Sequence, residues 1–430
     1  MRRIAGTLGL VAAALTLGCT EQLIAPGDCP DFCPNGQIVL VDTVFTTIIE
    51  RDSSYIGYTQ AYQAAQTTAA NEPGAQSRPF FRTRLEFSRV RPGTDTTTVP
   101  IFTDSTRLRL TIVRRDTSTK NLRVQLYALP ITVDTLSTFA ELDPYFSGPI
   151  VDSVNVSDLL SRPEIGDSAT VAAWGDSIRT DSAGHVLIVR NADSALQVFF
   201  SLDTLQAPSN PADSGRLAYG IRVVADTAVS IGLGKNDDGA AMRWFYHFTK
   251  LDSASTRVDT STTRSADVES FVFDPPSPPL DSNLTVGGAP SARTLIRVTM
   301  PQALRDSIDV VRATLILVPV APVTGVTSDS FHVTARQVTA DLGAKSPLST
   351  DAPAGSVVIH PGVADTVRLE ITDMVRGWVI ADTLATTAFM LGQAPEAASF
   401  TEARFYSSLT PAFRPALHVT FVRRFPFGRP

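Results

Sequence analysis

The sequence predicts an all-β protein made of two tandem antiparallel β-sandwich, jelly-roll-like domains. Three observations carry this reading. Apolar and polar residues alternate in short runs along most of the chain. Val and Thr, which suit a pleated half-buried surface, are abundant. Turn formers bound the runs, with 29 Pro and 26 Gly in 430 residues.

Length alone exceeds one ordinary hydrophobic core and suggests two domains. With 43% apolar and 19% charged residues the chain is neither disordered nor a polytopic membrane protein. A net charge of −6, with only 4 Lys among 37 basic residues, speaks against a nucleic-acid partner.

Arg2 and Arg3 precede an uncharged stretch from Ile4 to Leu17. That length suits the apolar region of a signal peptide and is too short to cross about 30 Å of hydrocarbon as a helix. The stretch ends in Leu15-Thr16-Leu17-Gly18-Cys19, which resembles the bacterial lipobox, although Thr16 and Leu17 depart from its preferred residues. The resemblance implies that 1–18 is removed as a lipoprotein signal peptide and that Cys19 becomes a lipidated N-terminus. Acyl chains contribute about 0.8 kcal/mol per buried CH₂, so several hold a protein on a membrane without a spanning helix. Thr20, where Asp would favour inner-membrane retention, implies an outer-membrane lipoprotein, on the periplasmic face or at the cell surface.

Residues 19–37 read as a lipidated tether rich in Pro, Gly and Asp. Cys29 and Cys33 within it are spaced to close a small disulfide ring in an oxidising envelope. A metal site, a redox pair or free thiols are the other readings. The nearest His in sequence is His185, and zinc needs four ligands.

Next comes a β-sandwich domain at 38–251, a Ser/Thr/Asp-rich linker at 252–266 and a second β-sandwich at 267–424. Leu108, Leu110 and Ile112 share one strand face, as do Leu122, Val124 and Leu126, and Leu417, Val419 and Phe421. The order of pieces repeats between the halves. A leading strand (Val44–Ile49; Val268–Phe273) is followed by a Gly turn and an Arg-bearing strand. A strand pair comes next: Leu108–Val113 with Leu122–Leu129 answers Ala313–Val318 with Phe331–Val338. Then a hydroxyl-Asp pair opens a short helix, Ser157-Asp158 in one half and Thr372-Asp373 in the other. The hydroxyls are expected as N-caps. A late aromatic strand closes each copy, at Arg243–Tyr246 and Arg404–Ser407.

In the second half these pieces resemble the DNRLRE family of extracellular β-sandwich modules. The matching segments are Asn283–Gly288, Thr294–Val298, Ala313–Leu317, Ile371–Trp378, Phe405–Ser408 and Arg414–Phe421, most of 280–422. The first half departs further, lacking the Trp after its Ser-Asp turn and the Arg-Pro lead into its last strand. The resemblance implies jelly-roll-like folding, secretion, and partnership with or direct binding of polysaccharide.

Catalytic signatures are missing. There is no Gly-x-Ser-x-Gly elbow, no His-Glu-x-x-His and no phosphate-binding Gly-rich loop. The five His are scattered, and His332 and His418 alternate out of apolar faces. Many carboxylates fall in Asp-Ser pairs, which favour turns, although a hydrolase using two loop carboxylates stays open as a weaker alternative. Gly232–Gly239 reads as a hairpin turn, with calcium ligation by Asn236, Asp237 and Asp238 as its alternative.

For a sugar ligand the residue types that count are flat aromatics beside Arg, acid or amide groups. Arg243, Trp244, Tyr246, Arg404 and Tyr406 are therefore the candidate ligand-binding residues. Alternation separates Trp244 and Tyr246 from Arg243, Phe245 and His247, so one set faces the core. Trp378 is expected in the core. The expected function is non-catalytic binding of extracellular polysaccharide by a lipid-anchored envelope protein. A structural or adhesive lipoprotein holding another protein is the alternative. No catalytic residue, metal or cofactor is assigned.

Overall fold

A computed structural model describes residues 40–423, apart from 85–88, 94–96, 166–174, 203–215, 252–253, 275–280, 289–290, 302–303, 305–307, 330, 352–353 and 381–385. The leader, the tether and Cys19, Cys29 and Cys33 lie outside the described residues. No described helix is long and apolar enough to cross a membrane.

The alternation seen in sequence becomes strands. In chain order these are β1 (Leu40–Phe45), β2 (Ile49–Ile56), β3 (Thr67–Glu72), β4 (Ala75–Arg84), β5 (Arg89–Val90), β6 (Val99–Pro100), β7 (Phe102–Arg114) and β8 (Arg123–Leu129). There follow β9 (Ile150–Asn155), β10 (Ser177–Thr180), β11 (Val186–Val189), β12 (Leu196–Leu202), β13 (Arg216–Val224), β14 (Val229–Leu233), β15 (Ala241–Thr249) and β16 (Arg257–Asp274). The remainder are β17 (Leu284–Gly287), β18 (Ala292–Val298), β19 (Ile308–Leu317), β20 (Phe331–Gln337), β21 (Gly355–Ile359), β22 (Val367–Glu370), β23 (Ala388–Ala394), β24 (Glu402–Phe405) and β25 (Ala416–Arg423). The named ladders are antiparallel, so the chain is all-β as expected. Short helices α1 (Phe139–Leu142), α2 (Val156–Ser161) and α3 (Thr372–Ile380) interrupt them.

Two large apolar clusters form. One gathers the inward residues of β7, β8, β12, β13 and β15, including Leu108, Leu126, Phe200 and Trp244. The other gathers those of β18, β19, β23 and β25 around Trp378, which packs on Phe389 at 6.0 Å between ring centroids. Fully burying a Leu, Ile or Phe side chain contributes about 1.5–3 kcal/mol, so these rows of inward side chains supply the driving force.

Strand pairing departs from the expected boundaries at 38–251, 252–266 and 267–424. β1 pairs along its length with β25, and β2 pairs with β18. Ile48 and Ile49 accordingly belong to the core around Trp378. Conversely, residues 257–266, expected as linker, begin the long strand β16. That strand pairs first with β15 and then, past an irregularity at Ala266–Val268, with β4. Each leading strand is thus built into the sheets of the other half. The composition of 257–266 misled because this strand alternates half-buried and exposed residues and so carries little large apolar side chain.

In the first half the path β7–β14–β3–β4–β16–β15–β7 closes on itself within one twelve-stranded sheet. The expected hairpin at Gly232–Gly239 is not one, because β14 and β15 do not pair with each other. Both run antiparallel to β7, one after the other, and diverge at the intervening loop. Asp238 there pairs with Arg190, and the Asp237 carbonyl accepts from Arg109.

The two halves nonetheless share one local strand order. The order β4–β13–β8–β9 matches β1–β25–β19–β22. In each, the hydroxyl-Asp pair performs the same task. Ser157 Oγ accepts the Leu122 N–H at 3.0 Å, and Thr372 Oγ1 accepts the Ala313 N–H at 2.7 Å. The residue before each hydroxyl donates back to the same strand residue, Val156 to Leu122 O and Ile371 to Ala313 O. These hydroxyls are strand anchors rather than N-caps; Asn155 caps α2 by accepting the Asp158 N–H. The correspondence also shifts the expected pairing, since Leu122–Leu129 answers Ala313–Leu317.

The halves meet at a polar and apolar seam. Phe271, Phe273 and Phe400 cluster with centroids 5.9–6.2 Å apart. Beside them Arg114 pairs with Asp329, and Ser328 bonds Asp116. Glu72 Oε1, Asp116 Oδ2 and Asp329 Oδ2 are buried without a donor. Burial, with the Asp329 and Asp116 charges adding to it, pushes the Glu72 carboxyl up to about 7 against the pull of Arg114 and Ser230. Burial likewise raises Asp329. A raised carboxyl favours the folded state fully below its ordinary range and loses that contribution as pH climbs through about 7.

A fragment spanning 267–424 lacks β1 and β2. It is expected to aggregate or unfold without cooperativity, and to recover a cooperative transition when a 38–60 peptide is supplied in trans. A cooperative melt of the fragment alone, matching that of the full chain, would refute the crossed-strand arrangement.

Candidate functional site

Parity along β15 divides the candidate residues. Trp244 and Tyr246 are 3% and 8% exposed and lie in the first core. Both side chains pack in the core, which corrects the assignment of Trp244 as a ligand-binding residue; Tyr246 reaches the surface only beside Asp104 and Asp259. Alternation then turns Arg243, Phe245 and His247 outward, and of the three residues expected on this strand Arg243 is the exposed one.

The outward strip is built on β7, β15 and β16. Phe245 lies between two guanidiniums, Arg107 at 5.5 Å and Arg243 at 5.1 Å from its ring centroid. Such contacts contribute about 0.5–1 kcal/mol at exposed sites and hold both guanidiniums over the ring. Arg243 also donates to Ser261 Oγ at 3.1 Å. Farther along, Phe102, half exposed, stacks on His247 at 5.3 Å and 21°.

A bulge in the β7–β15 register, between Phe245 and Tyr246, leaves both Asp104 and Ser105 exposed. It brings Asp104 Oδ1 to 2.8 Å from His247 Nδ1. His247 also faces Asp259 directly across the β15–β16 ladder. Arg257 bridges the two acids, 2.8 Å from Asp259 and 3.5 Å from Asp104. An open groove of about 450 Å³ runs over Asp104, Phe245, the largely buried Tyr246, Asp259, Thr260 and Ser261. The strip therefore offers aromatic surface, guanidinium donors and carboxylate and hydroxyl acceptors in one depression.

Arg404 and Tyr406 sit elsewhere, at the end of β24 beside β17. Arg404 pairs with Asp281, holding that carboxyl below the usual range. Tyr406 stacks on Phe413 at 4.9 Å. β24 pairs with β17 whereas β15 pairs with β7 and β16, so the two late aromatic segments do not occupy corresponding places.

Sequence reasoning missed two further features. On the outer face of β18, β20 and β23 a cavity of about 240 Å³ is lined by Arg293, Thr334, Arg336 and Gln393. Arg293 is clamped between Glu396 and the Tyr58 ring, 3.4 Å away. The second is His185, only 6% exposed, whose Nδ1 meets Asp181 at 2.7 Å and Nε2 meets Asp152 at 2.9 Å. Both ring nitrogens are occupied by acids, so the imidazole has no free nitrogen with which to act as a base. It is a lock joining β9 to the β10–β11 turn. Asp152 and Asp181 belong to Asp-Ser pairs, and other such acids cap local turns, as Asp193 does for Ala195 N. His332 is exposed, and His418 bonds Asp42 at the surface.

No family model matches the chain, and no curated protein matches it. Among solved structures it aligns with the structure of the Macrobrachium rosenbergii nodavirus at 11% identity, covering 90% of this chain and 91% of that one. The TM-score of 0.17 is too low for that likeness to bear on fold or function.

The Asp152 hydrogen bond chiefly, helped by Asp181 and opposed by burial, pushes the His185 imidazolium up to about 9. A raised His contributes stability fully below its ordinary value near 6.5 and loses it as pH rises through about 9. Chemical unfolding from pH 6 to 10 should show that decline. In His185→Ala the part of the decline above pH 7, beyond the Glu72 range, should be absent, with a loss of about 3 kcal/mol at pH 6 from two acids left without their cation.

Proposed function

We propose that this chain is a non-catalytic envelope lipoprotein whose first half binds extracellular polysaccharide through the outward strip of β7, β15 and β16. One observation carries the reading: Phe245, framed by Arg107 and Arg243, lies in an open groove also lined by Asp104, Asp259, Thr260 and Ser261. Sugar rings present an apolar C–H face and a rim of hydroxyls. The half-buried Phe245 ring suits the face, and the fork-shaped Arg donors with their neighbouring acids and hydroxyls suit the rim. Outward strand positions also keep the site rigid, because the opposite side chains, Trp244 and Tyr246, are packed in the core. The leader and its Cys19 support an outer-membrane anchor.

Affinity electrophoresis of the mature ectodomain through a panel of polysaccharide gels is expected to show retardation by at least one. Phe245→Ala and Arg243→Ala should each weaken it about tenfold, near 1.4 kcal/mol, with the fold intact. No retention across the panel, or retention unchanged by both substitutions, would defeat the proposal. In cells, Cys19→Ala should move the protein from the membrane to the soluble fraction; continued membrane association would remove the anchor.

A further inference from the structure

We propose that Asp104, His247 and Asp259 form a binding site for a divalent first-row transition metal, with Zn²⁺ as its type. The three side chains come from three adjacent strands, and one ligand atom from each lies within 4.8 Å of the others. The register holds them there. His247 is directly opposite Asp259 on β16, and the β7 bulge turns Asp104 onto the same face. Phe102 stacks on the imidazole and fixes its plane.

Around Zn²⁺, bonds of about 2.0–2.2 Å place ligand atoms about 3.3 Å apart. Closing from the present spacing falls to the side chains of Asp104 and Asp259, both exposed. One imidazole and two carboxylates favour Zn²⁺ or a neighbouring transition ion over Mg²⁺ or Ca²⁺, which select all-oxygen sets. Three protein ligands leave positions open, and two of the ligand residues line the groove.

Arg257 now supplies the positive charge that the two acids require. Its side chain is 57% exposed at the start of β16, so it can swing into solvent when a metal arrives. This competition gives the site a signature that a simple ion-pair network lacks. Removing the metal ligands should weaken binding, whereas removing Arg257 should strengthen it.

The test is equilibrium dialysis and calorimetry with ZnCl₂ on the untagged, chelator-stripped chain lacking 1–18 and carrying Cys19→Ser, Cys29→Ser and Cys33→Ser, which removes all three thiols. One Zn²⁺ per chain is expected. His247→Ala and Asp259→Asn should weaken it at least tenfold, and Arg257→Ala should tighten it several-fold, with circular dichroism unchanged throughout. Co²⁺ in place of Zn²⁺ should give a visible spectrum that His247→Ala abolishes. Absence of binding even in Arg257→Ala, or equal binding by His247→Ala, would overturn the site. The readout is the metal itself, so its failure is distinct from a failure of polysaccharide retention.

Discussion

The C-terminal core closes on strands made at the opposite end of the chain. β25 presents Leu417, Val419 and Phe421 to the interior, and its ladder is completed by β1. Ile48 and Ile49 fill the space beneath β18, where β2 supplies the neighbouring ladder. Unpaired strand edges and uncovered apolar side chains are both costly. The core around Trp378 is therefore stable only when β1 and β2 have been delivered to it, and the chain between must fold around that connection. Long-range pairing of this kind pays its loop-closure entropy early and its contacts late.

The seam between the halves follows from that crossing. Residues 57–66 carry the chain across it, and the Thr68 hydroxyl bonds the Ala398 carbonyl on the far side at 3.2 Å. An apolar triad of Phe271, Phe273 and Phe400 would suffice to join two surfaces. Instead the half-buried Arg114 stands beside Glu72, Asp116 and Asp329, more acid than one guanidinium can balance. Such a cluster is a poor source of stability, because desolvation offsets attraction and leaves acceptors without donors. It does fix which residue faces which across the seam, since a slipped register would bury those acids without Arg114.

Much of the fold was legible because period-two patterning is local. Leu108, Leu110 and Ile112 point inward as their alternation requires, and Trp378 is in the core. The pairing partners were not legible, since alternation specifies a face and not a neighbour. β16 shows why most clearly. Its Ser, Thr, Asp and Arg residues read as a linker, yet ladder hydrogen bonds come from the backbone and are indifferent to side-chain polarity. For the site, sequence parity separated the two faces of β15 correctly but could not choose the inward one. Core packing made the choice, taking the larger Trp244 and Tyr246 and leaving Phe245 outside. His185 was illegible because its two acids are 4 and 33 residues away and converge only through the sheet.

The same strand that defeats the linker reading also completes the site. The first part of β16 brings Asp259, Thr260 and Ser261 alongside β15, and its second part closes the ring of strands against β4. Without β16, Phe245 would stand on an edge strand with one flank in water, and Arg243 would lose its Ser261 acceptor. An edge strand invites pairing with other chains, whereas a covered one presents only its side chains. Closure of the ring and formation of the groove are therefore one event. A substitution that loosens β16 from β4, far from the groove, should act on the site through Asp259 and Ser261, because these residues hold their places only while the ladder behind them is intact.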